Sequence, residues 1–171
     1  MNVLIISDSH GLTEEILKIQ ARHADHIDAM IHCGDSELAS DHESLSGFHT
    51  VRGNCDYDSK LPKEIITEVE SVKFYITHGH LHNIKTTLMN VKYRALECNA
   101  DIVCFGHSHI AGAEMIDNIL FINPGSIRLP RMRKERTYAI LSVENFVATL
   151  TFYEVDGTVV NDLSATFNFD R

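Results

Sequence analysis

The chain has 171 residues, 44% of them hydrophobic and 23% charged, which is the composition of a globular protein with a sizeable core. Its formal net charge of −9 argues against a general nucleic-acid binder, because such proteins present a basic face. No apolar run approaches the length of a transmembrane helix, and the N-terminal run "VLII" is too short for a targeting segment. We expect one domain over residues 1–171, without a membrane partner.

The four cysteines show no CxxC spacing and no disulfide framework. Cys33 and Cys104 lie in apolar runs, where a reduced cysteine behaves as a small hydrophobic residue. Reduced thiols are typical of the cytosol, so we expect a cytoplasmic protein.

The first third of the chain alternates between strand-like and helix-like segments. "NVLIIS" predicts a buried strand, and "LTEEILKIQARHA" predicts a helix capped by Thr13, with Leu12, Ile16 and Ile19 near helical spacing. "DAMIHCGD" and "FHTVRGN" are two further short apolar runs. The strand–helix–strand order predicts a βαβ unit in a largely parallel sheet.

The remainder is richer in hairpins. "EIITEVESVKFYITHG" predicts a first hairpin, "IKTTLMNVKYRALECN" a helix and "DIVCFG" a buried strand. "AEMIDNILFIN" predicts a hairpin turning at Asp117-Asn118, and "RTYAILSVENFVATLTFYEVDG" another turning near Glu144-Asn145. This order predicts two stacked sheets flanked by helices.

Polar, ligand-type side chains follow the apolar runs where each run stops. Because ligands bind at the carboxyl ends of strands in α/β sheets, we expect these side chains to lie close together. They are Asp8 and His10 after "VLIIS", Asp35 after "AMIHC", Asn54 and Asp56 after "HTVR", His78 and His80 after "KFYIT", His107 and His109 after "DIVCF", and Asn123 after "ILFI".

The chemistry of this set points to a metal. Carboxylate, imidazole and amide oxygen together suit a borderline divalent ion, whereas Mg²⁺ and Ca²⁺ prefer oxygen-only ligands. The D-x-H and H-x-H spacings let alternate side chains leave a strand end on the same side. One such motif alone is usually a polar turn, but the ordered set D-x-H, G-D, G-N, H-G-H, G-H-S-H is highly specific.

At this point the chain resembles the calcineurin-like metallophosphoesterases. Together with "NPGS", the resemblance covers residues 3–128. In its short length and its "RGNCD" motif the chain is most similar to the small prokaryotic phosphodiesterase branch of the family. The retromer sorting subunit, which works as a scaffold, is a relative of that branch. The resemblance implies an α/β fold, a four-layer α/β/β/α sandwich of two mixed sheets flanked by helices.

The resemblance also implies two metal ions at the strand ends. Asp8, His10 and His109 would hold the first ion, and Asn54, His78 and His107 the second. Asp35 would bridge both. We expect Mn²⁺, with Fe²⁺, Zn²⁺, Co²⁺ or Ni²⁺ as alternatives.

Four residues are predicted to act on the substrate or the ligands: Asn54, Cys55, Asp56 and His80. Many family members carry, in place of Cys55, a histidine that stabilises the transition state or protonates the leaving oxygen. A neutral thiol is a weaker acid, so we expect modest activity, best with acidic leaving alcohols. A thiolate ligand and a space-filling role remain alternatives. Asp56 is expected to orient a neighbouring side chain, and His80 to contact the phosphate or support a ligand.

The predicted function is hydrolysis of phosphodiesters, and of phosphomonoesters as a secondary activity, by in-line attack of a metal-bridging hydroxide. We expect a small phosphoester substrate, no nucleic acid beyond short or cyclic nucleotides, and a homodimer. The segment "RLPRMRKER" either steers anions toward the metals through Arg131 and Arg133 or is a solvated loop. The alternative function is a non-catalytic interaction scaffold that retains the metal pocket.

Overall fold

The structure is a computed structural model that describes residues 1–170, and it contains two β-sheets, two α-helices and three short 3₁₀ turns. The helices are α1 (Glu14–His23) and α2 (Met89–Glu97). The strands are β1 (Asn2–Ile6), β2 (Ala29–His32), β3 (Phe48–Thr50), β4 (Glu64–Val69), β5 (Val72–Thr77), β6 (Ile102–Cys104), β7 (Gly112–Ile116), β8 (Ile119–Asn123), β9 (Thr137–Glu144), β10 (Val147–Glu154) and β11 (Ala165–Asn168). No helix within residues 1–170 has the length and apolarity needed to cross a membrane.

Both sheets are mixed. The six-stranded sheet has the order β11-β10-β9-β1-β2-β3, in which β1, β2 and β3 run parallel and β9 to β11 are antiparallel. The five-stranded sheet has the order β4-β5-β6-β8-β7, in which β5, β6 and β8 run parallel. Each sheet thus presents the carboxyl ends of three parallel strands, the position where α/β sheets bind ligands.

Alternating side chains explain the four layers. On β1, Val3 and Ile5 face the core between the sheets, whereas Leu4 and Ile6 pack with Ile16 of α1 on the outer side. On the other sheet, β5, β6 and β8 divide in the same way between the inter-sheet core and a second outer core beneath α2. Strands buried on both faces read as continuous apolar runs, as the sequence showed. The predicted α/β/β/α sandwich is confirmed.

The hairpins turn through pairs of residues with positive φ, the geometry of tight two-residue loops. The three pairs are Glu70-Ser71, Asp117-Asn118 and Asn145-Phe146. The second was predicted at that position, and the third lies one residue later than expected.

Three local expectations differ from the structure. Helix α2 begins only at Met89, because the hydroxyl of Thr87 accepts the Met89 backbone N–H at 3.1 Å and so ends the preceding loop. Thr13 stands at the start of α1 but makes no side-chain cap hydrogen bond. Strand β11, which pairs with β10 at the sheet edge, was not predicted, because its short segment has largely exposed side chains and little apolar pattern.

Candidate metal centre

The loops after the parallel strands bring the predicted ligands together. The loop after β1 runs beside the loop after β2, where the backbone N–H of Asp8 donates to the carbonyl of Gly34 at 3.0 Å and that of His10 to the carbonyl of Asp35 at 3.0 Å. The loop after β6 joins them from the other sheet, where the backbone N–H of His107 donates to Asp8 Oδ2 at 3.2 Å. The site therefore lies across the ends of both sheets.

The first cluster consists of Asp8, His10 and His109, whose ligand atoms lie within 4.8 Å of one another. His109 Nε2 is 3.1 Å from Asp8 Oδ1 and 3.5 Å from His10 Nε2. His109 Nδ1 lies 2.7 Å from the carbonyl oxygen of Leu129, which can only accept, so Nδ1 carries a proton and Nε2 is the ligating nitrogen.

The second cluster consists of three buried residues, Asp8, Asp35 and His78, again with ligand atoms within 4.8 Å. His78 Nδ1 donates to the carbonyl of Cys33 at 2.7 Å, which turns Nε2 toward Asp35 Oδ2 at 3.3 Å and Asn54 Oδ1 at 3.1 Å. Carboxylate, amide oxygen and imidazole nitrogen thus converge on one point.

His107 is placed less closely than the other expected ligands. Its ring centroid is 5.1 Å from that of His78, but it belongs to none of the clusters found among residues 1–170. Burial lowers its pKa to about 4, with the positive charges of His78 and Lys85 adding to the effect. Its imidazole is therefore neutral at pH 7, as a metal ligand requires.

These geometries fit a bound cation. Asp8 Oδ1 is buried and has no hydrogen-bond donor. Burial alone would lower the pKa of His78, but hydrogen bonding to Asp35 and the charge of Asp8 outweigh burial and raise it. The carboxylate of Asp8, whose Oδ1 lies 3.1 Å from His109 Nε2, likewise raises the pKa of His109. Because an unpaired buried carboxylate oxygen is costly, the facing acceptors need a shared positive charge, which a divalent ion supplies.

Asp35 also belongs to a third cluster, with His10 and Cys55, whose atoms again lie within 4.8 Å. Its Oδ1 accepts the backbone N–H of Cys55 at 2.8 Å. Burial opposes ionisation of Asp35, yet the hydrogen bond from His78 and that from Cys55 lower its pKa well below the usual range. Asp35 thus shares one cluster with Asp8 and His78 and another with His10, so it lies within reach of ligands expected for both ions.

Cys55 retains its proton. Burial raises the pKa of its thiol to about 11, and the negative charge of Asp35 contributes in the same direction. The sulfur lies 3.3 Å from Asn54 Nδ2. Cys55 is therefore an exposed, neutral thiol that forms part of the third cluster.

Asp56 has a different partner from the one expected. Its carboxylate contacts backbone rather than a ligand side chain: Oδ2 accepts the N–H groups of Asp35 at 2.8 Å and Gly53 at 2.7 Å. Its Oδ1 accepts the N–H of Glu37 at 2.7 Å and the hydroxyl of Ser36 at 3.1 Å. Asp56 therefore fixes the loop that carries Asp35.

Glu37 is the residue that sequence reasoning missed. Its Oε1 lies 2.5 Å from His10 Nδ1, so it holds the ring of His10 from the side opposite the candidate ion. Metal-bound histidines usually donate their second N–H to such an acceptor. The available signal was its position two residues after Asp35, in the sequence "GDSE".

The site backbone is strained. Positive φ values occur at Asp8, His10, Asp35, Glu37, His107 and His109, between 42° and 66°. Non-glycine residues adopt this region rarely, and such residues cluster at functional sites where the surroundings enforce them.

Gly53 shows how closely the loops approach. A Cβ at this position would lie 2.0 Å from Asp35 Oδ1 and 2.4 Å from Asp35 N. Only glycine therefore fits beside the carboxylate of Asp35.

His80 lies beside the second cluster, with its ring centroid 5.4 Å from that of His78. Its Nδ1 is buried without a hydrogen-bond partner among the described residues. Burial, followed by the charge of His78, lowers its pKa. The predicted contact of His80 with phosphate stays a prediction.

The arginines of the basic segment "RLPRMRKER" differ in their contacts. Arg133 is paired with Glu135 and Asp162, both at 3.0 Å, and is not free to attract a substrate. The backbone N–H of Arg131 donates to the carbonyl of His109 at 3.0 Å, which anchors Arg131 beside the site. The steering hypothesis therefore rests on Arg131 alone.

The sequence also matches a known family. The model of the calcineurin-like phosphoesterase superfamily domain matches residues 1–146. The chain belongs to this superfamily. The predicted membership is confirmed, and the chain is accordingly a metal-dependent phosphoesterase, with candidate ligand clusters for divalent metal.

Two relatives carry related names. A probable metallophosphoesterase of Bacillus subtilis, YsnB, is 55% identical over 163 residues, covering 95% of this chain and 96% of that protein. The phosphodiesterase MJ0936 of Methanocaldococcus jannaschii is 30% identical over 144 residues, covering 73% of this chain and 83% of that protein.

Solved structures show the same fold. A conserved protein of Streptococcus pneumoniae TIGR4, described as a predicted phosphoesterase, superposes with a TM-score of 0.94 at 35% identity, covering 98% of this chain and 97% of that one. Vps29 of Entamoeba histolytica, complexed with Zn²⁺, has a TM-score of 0.78 at 20% identity, covering 99% and 100%. The second likeness concerns the fold alone.

Proposed function

We propose that the protein is a dinuclear metal-dependent phosphodiesterase. The observation that carries the proposal is the convergence of acceptor atoms around Asp8 Oδ1, which is buried, lacks a donor and faces His109 Nε2 at 3.1 Å. Two divalent ions, when bound, supply an activated water and neutralise charge on the phosphoryl group. Mn²⁺ is the proposed ion, since the ligands mix carboxylate, imidazole and amide.

The residues divide into two sets joined by Asp35. Asp8, His10 and His109 would hold one ion, and Asn54, His78 and His107 the other. Their orientations are fixed by neighbours: Leu129 and Cys33 accept the Nδ1 protons of His109 and His78, and Glu37 accepts that of His10. Such preorganisation leaves the ligating nitrogens aimed at the ions before they bind.

Diesters are favoured over monoesters for two reasons. MJ0936, which this chain resembles at 30% identity, is named a phosphodiesterase. Cys55 is a neutral thiol, with a pKa of about 11, and is a poor proton donor. The leaving alcohol must therefore depart without much assistance, which favours diesters with acidic alcohols.

Metal analysis and hydrolysis test the proposal together. The purified protein is stripped with a chelator, reloaded with Mn²⁺ and analysed for bound metal, and then assayed on bis(4-nitrophenyl) phosphate and 4-nitrophenyl phosphate. We expect two ions per chain and Mn²⁺-dependent hydrolysis that is faster on the diester. His78→Asn should abolish the hydrolysis and lower the metal content. His26 is an exposed histidine outside the site, so His26→Asn should change neither the hydrolysis nor the metal content.

A protein that binds no ion and hydrolyses neither ester with any added metal would be a scaffold, which is the alternative function. A protein that binds one ion would contradict the dinuclear site but not the family. Homodimerisation and a cytoplasmic location stay predictions, to be tested by light scattering and by fractionation of the source cells.

A further inference from the structure

An open groove of about 560 Å³ lies on the outer side of the five-stranded sheet, next to the loop that carries His107 and His109. Four of the apolar residues that line it belong to the outer core beneath α2. They are Ile84, Leu88, Phe105 and Phe121.

Neither of the two segments that flank this groove covers it. On one side α2 begins only at Met89, so the preceding segment lines the groove instead of covering the sheet. On the other side is β7, the edge strand, where a Cβ added at Gly112 would meet no atom within 4 Å. Phe105 and Phe121 are themselves buried, so the apolar surface that the groove offers to a ligand comes largely from Leu88, which is half-buried, and Ile110, which is 45% exposed.

The groove adjoins the loop that carries two of the expected metal ligands. Ser108, the residue between His107 and His109, lines it, and so does Asn123, whose Nδ2 donates to Ser108 Oγ at 2.9 Å. No expected metal ligand lines the groove itself, so a substrate bound at the metal centre would reach the groove past Ser108.

The charge of the groove suits an anion. Lys85 and Arg131 both line it and both are exposed, and neither side chain has a hydrogen-bond or ion-pair partner among residues 1–170. Glu114 is the one acidic residue in the lining. An apolar floor with unpaired cations at its rim suits a ligand that is both apolar and anionic.

We propose that this groove binds a ring-sized apolar ester group of the phosphodiester substrate, while Lys85 and Arg131 attract its anionic phosphate. The inference rests on the proposed phosphodiesterase function and adds a substrate class to it. Diesters of small alcohols would leave the groove empty, whereas a ring on the ester that is not cleaved would cover Leu88 and Ile110.

Two chromogenic diesters with the same leaving group test the groove: 4-nitrophenyl benzyl phosphate and 4-nitrophenyl methyl phosphate. Because both release 4-nitrophenol and both retain an alkyl ester, their kcat/KM ratio reports mainly on binding of the retained group. We expect the Mn²⁺-loaded protein to prefer the benzyl ester by about tenfold or more.

Gly112→Leu places an apolar side chain in the groove at a position where the Cβ meets no atom within 4 Å, and it should bring the ratio close to one. Thr149→Leu is its control, because Thr149 is exposed on β10 and points away from the other sheet, and it should keep the preference. If Gly112→Leu does not fold, Ile110→Asp is used instead, because it places a charge in the groove lining. Its control is Ile66→Asp, on β4 of the five-stranded sheet and outside the groove. The two isoleucines are 45% and 46% exposed, so the substitutions are matched.

Calorimetry with dibenzyl phosphate and dimethyl phosphate provides a readout that does not require turnover. We expect tighter binding of the dibenzyl ester to the wild-type protein, and loss of that difference in Gly112→Leu or Ile110→Asp. Equal use and equal binding of benzyl and methyl esters by the wild-type protein would overturn the proposal, as would a full preference in a folded Gly112→Leu protein. Binding of the dibenzyl ester without hydrolysis of any diester would instead uphold the groove and overturn the proposed function.

Discussion

The carboxylate of Asp56 accepts the backbone N–H of Asp35 at 2.8 Å, so the candidate bridging ligand is held in place through its backbone by a residue that contacts no candidate ion. The same carboxylate accepts three further donors from Gly53, Ser36 and Glu37. One side chain thereby ties the loop after β3 to the loop after β2. These hydrogen bonds help to hold Asp35 and Glu37 at positive φ, a region that non-glycine residues adopt rarely.

Asp56→Asn should therefore lower both metal affinity and stability. The amide presents an N–H₂ group where an oxygen now accepts two backbone donors, and a partly buried donor left unsatisfied costs about 1–3 kcal/mol. Displacement of the Asp35 loop should weaken Mn²⁺ binding about 10- to 100-fold. Calorimetric Mn²⁺ titration and thermal unfolding measure the two effects.

Asp58→Asn is a matched control, because the Asp58 carboxylate also accepts backbone N–H groups, those of Ser40 and Lys60, but lies outside the ligand clusters. It should leave the Mn²⁺ affinity unchanged. Equal losses of affinity in both variants would show that Asp56 acts through general stability rather than through Asp35.

Glu37→Gln should weaken metal binding while leaving the fold intact. The glutamate holds His10 Nδ1 at 2.5 Å, and a neutral amide is a weaker acceptor that also allows the ring to rotate. We expect about a tenfold loss of Mn²⁺ affinity with little change in Tm. Glu15→Gln, which removes the same charge in the first turn of α1, controls for the overall electrostatic effect. Identical Mn²⁺ affinities in the two variants would show that Glu37 does not support metal binding through His10.

Gly53→Ala should disrupt the centre because its Cβ would meet Asp35 Oδ1 at 2.0 Å. The added methyl group must displace backbone and carboxylate together, so we expect loss of Mn²⁺ binding and a lower Tm. Gly112→Ala, where the Cβ has open space, should slightly raise Tm, because alanine loses less conformational entropy on folding. Normal metal binding by Gly53→Ala would contradict the close approach of the two loops.

The sequence predicted which residues would meet, and the reason is topological. Asp8, Asp35 and His78 each follow a strand of a parallel set, and the carboxyl ends of such strands lie at one edge. The four layers could be predicted as well, because strands buried on both faces form unbroken apolar runs in the sequence. These features depend on periodicity and strand direction, both of which can be read from residue order.

The contacts of Glu37 and Asp56 could not be predicted in this way. They depend on the left-handed backbone between Asp35 and Glu37, which is set by hydrogen bonds between loops rather than by local sequence. The first residue of α2 was not predicted for a similar reason. The hydrogen bond from the Met89 backbone N–H to the Thr87 hydroxyl outweighs the helical spacing of the apolar residues. Sequence patterns constrain elements well and the contacts between loops poorly.

Cys55→His should raise the rate with diesters of poor leaving groups. The thiol has a pKa of about 11, raised mainly by burial and then by Asp35, so it donates a proton poorly at neutral pH. An imidazolium at this position could protonate the departing oxygen, help that is typically worth about 10²–10⁴ in rate. We expect at least about a tenfold increase in kcat with benzyl methyl phosphate and little change with bis(4-nitrophenyl) phosphate. Cys55→Ser, a neutral replacement of similar size, should show no increase. A rate that does not rise in Cys55→His would mean that the site geometry cannot use an imidazole there.

His32 should make the metal-free protein less stable in mild acid. Its ring is fully buried, Nδ1 accepts the backbone N–H of Gly34 at 3.1 Å, and Nε2 donates to Ser9 Oγ at 2.9 Å, so the neutral form fits and a second proton does not. Burial, which outweighs the opposing charge of Asp56, lowers its pKa from 6.5 to about 4. Between pH 6.5 and 4 the unfolded chain therefore binds the additional proton, and stability should fall as the pH falls, by up to about 3 kcal/mol. Denaturant unfolding in the presence of chelator, compared with His32→Gln, isolates this contribution because the other titrating groups are common to both proteins. Parallel stability curves for the two proteins across this window would show that His32 is not the titrating group.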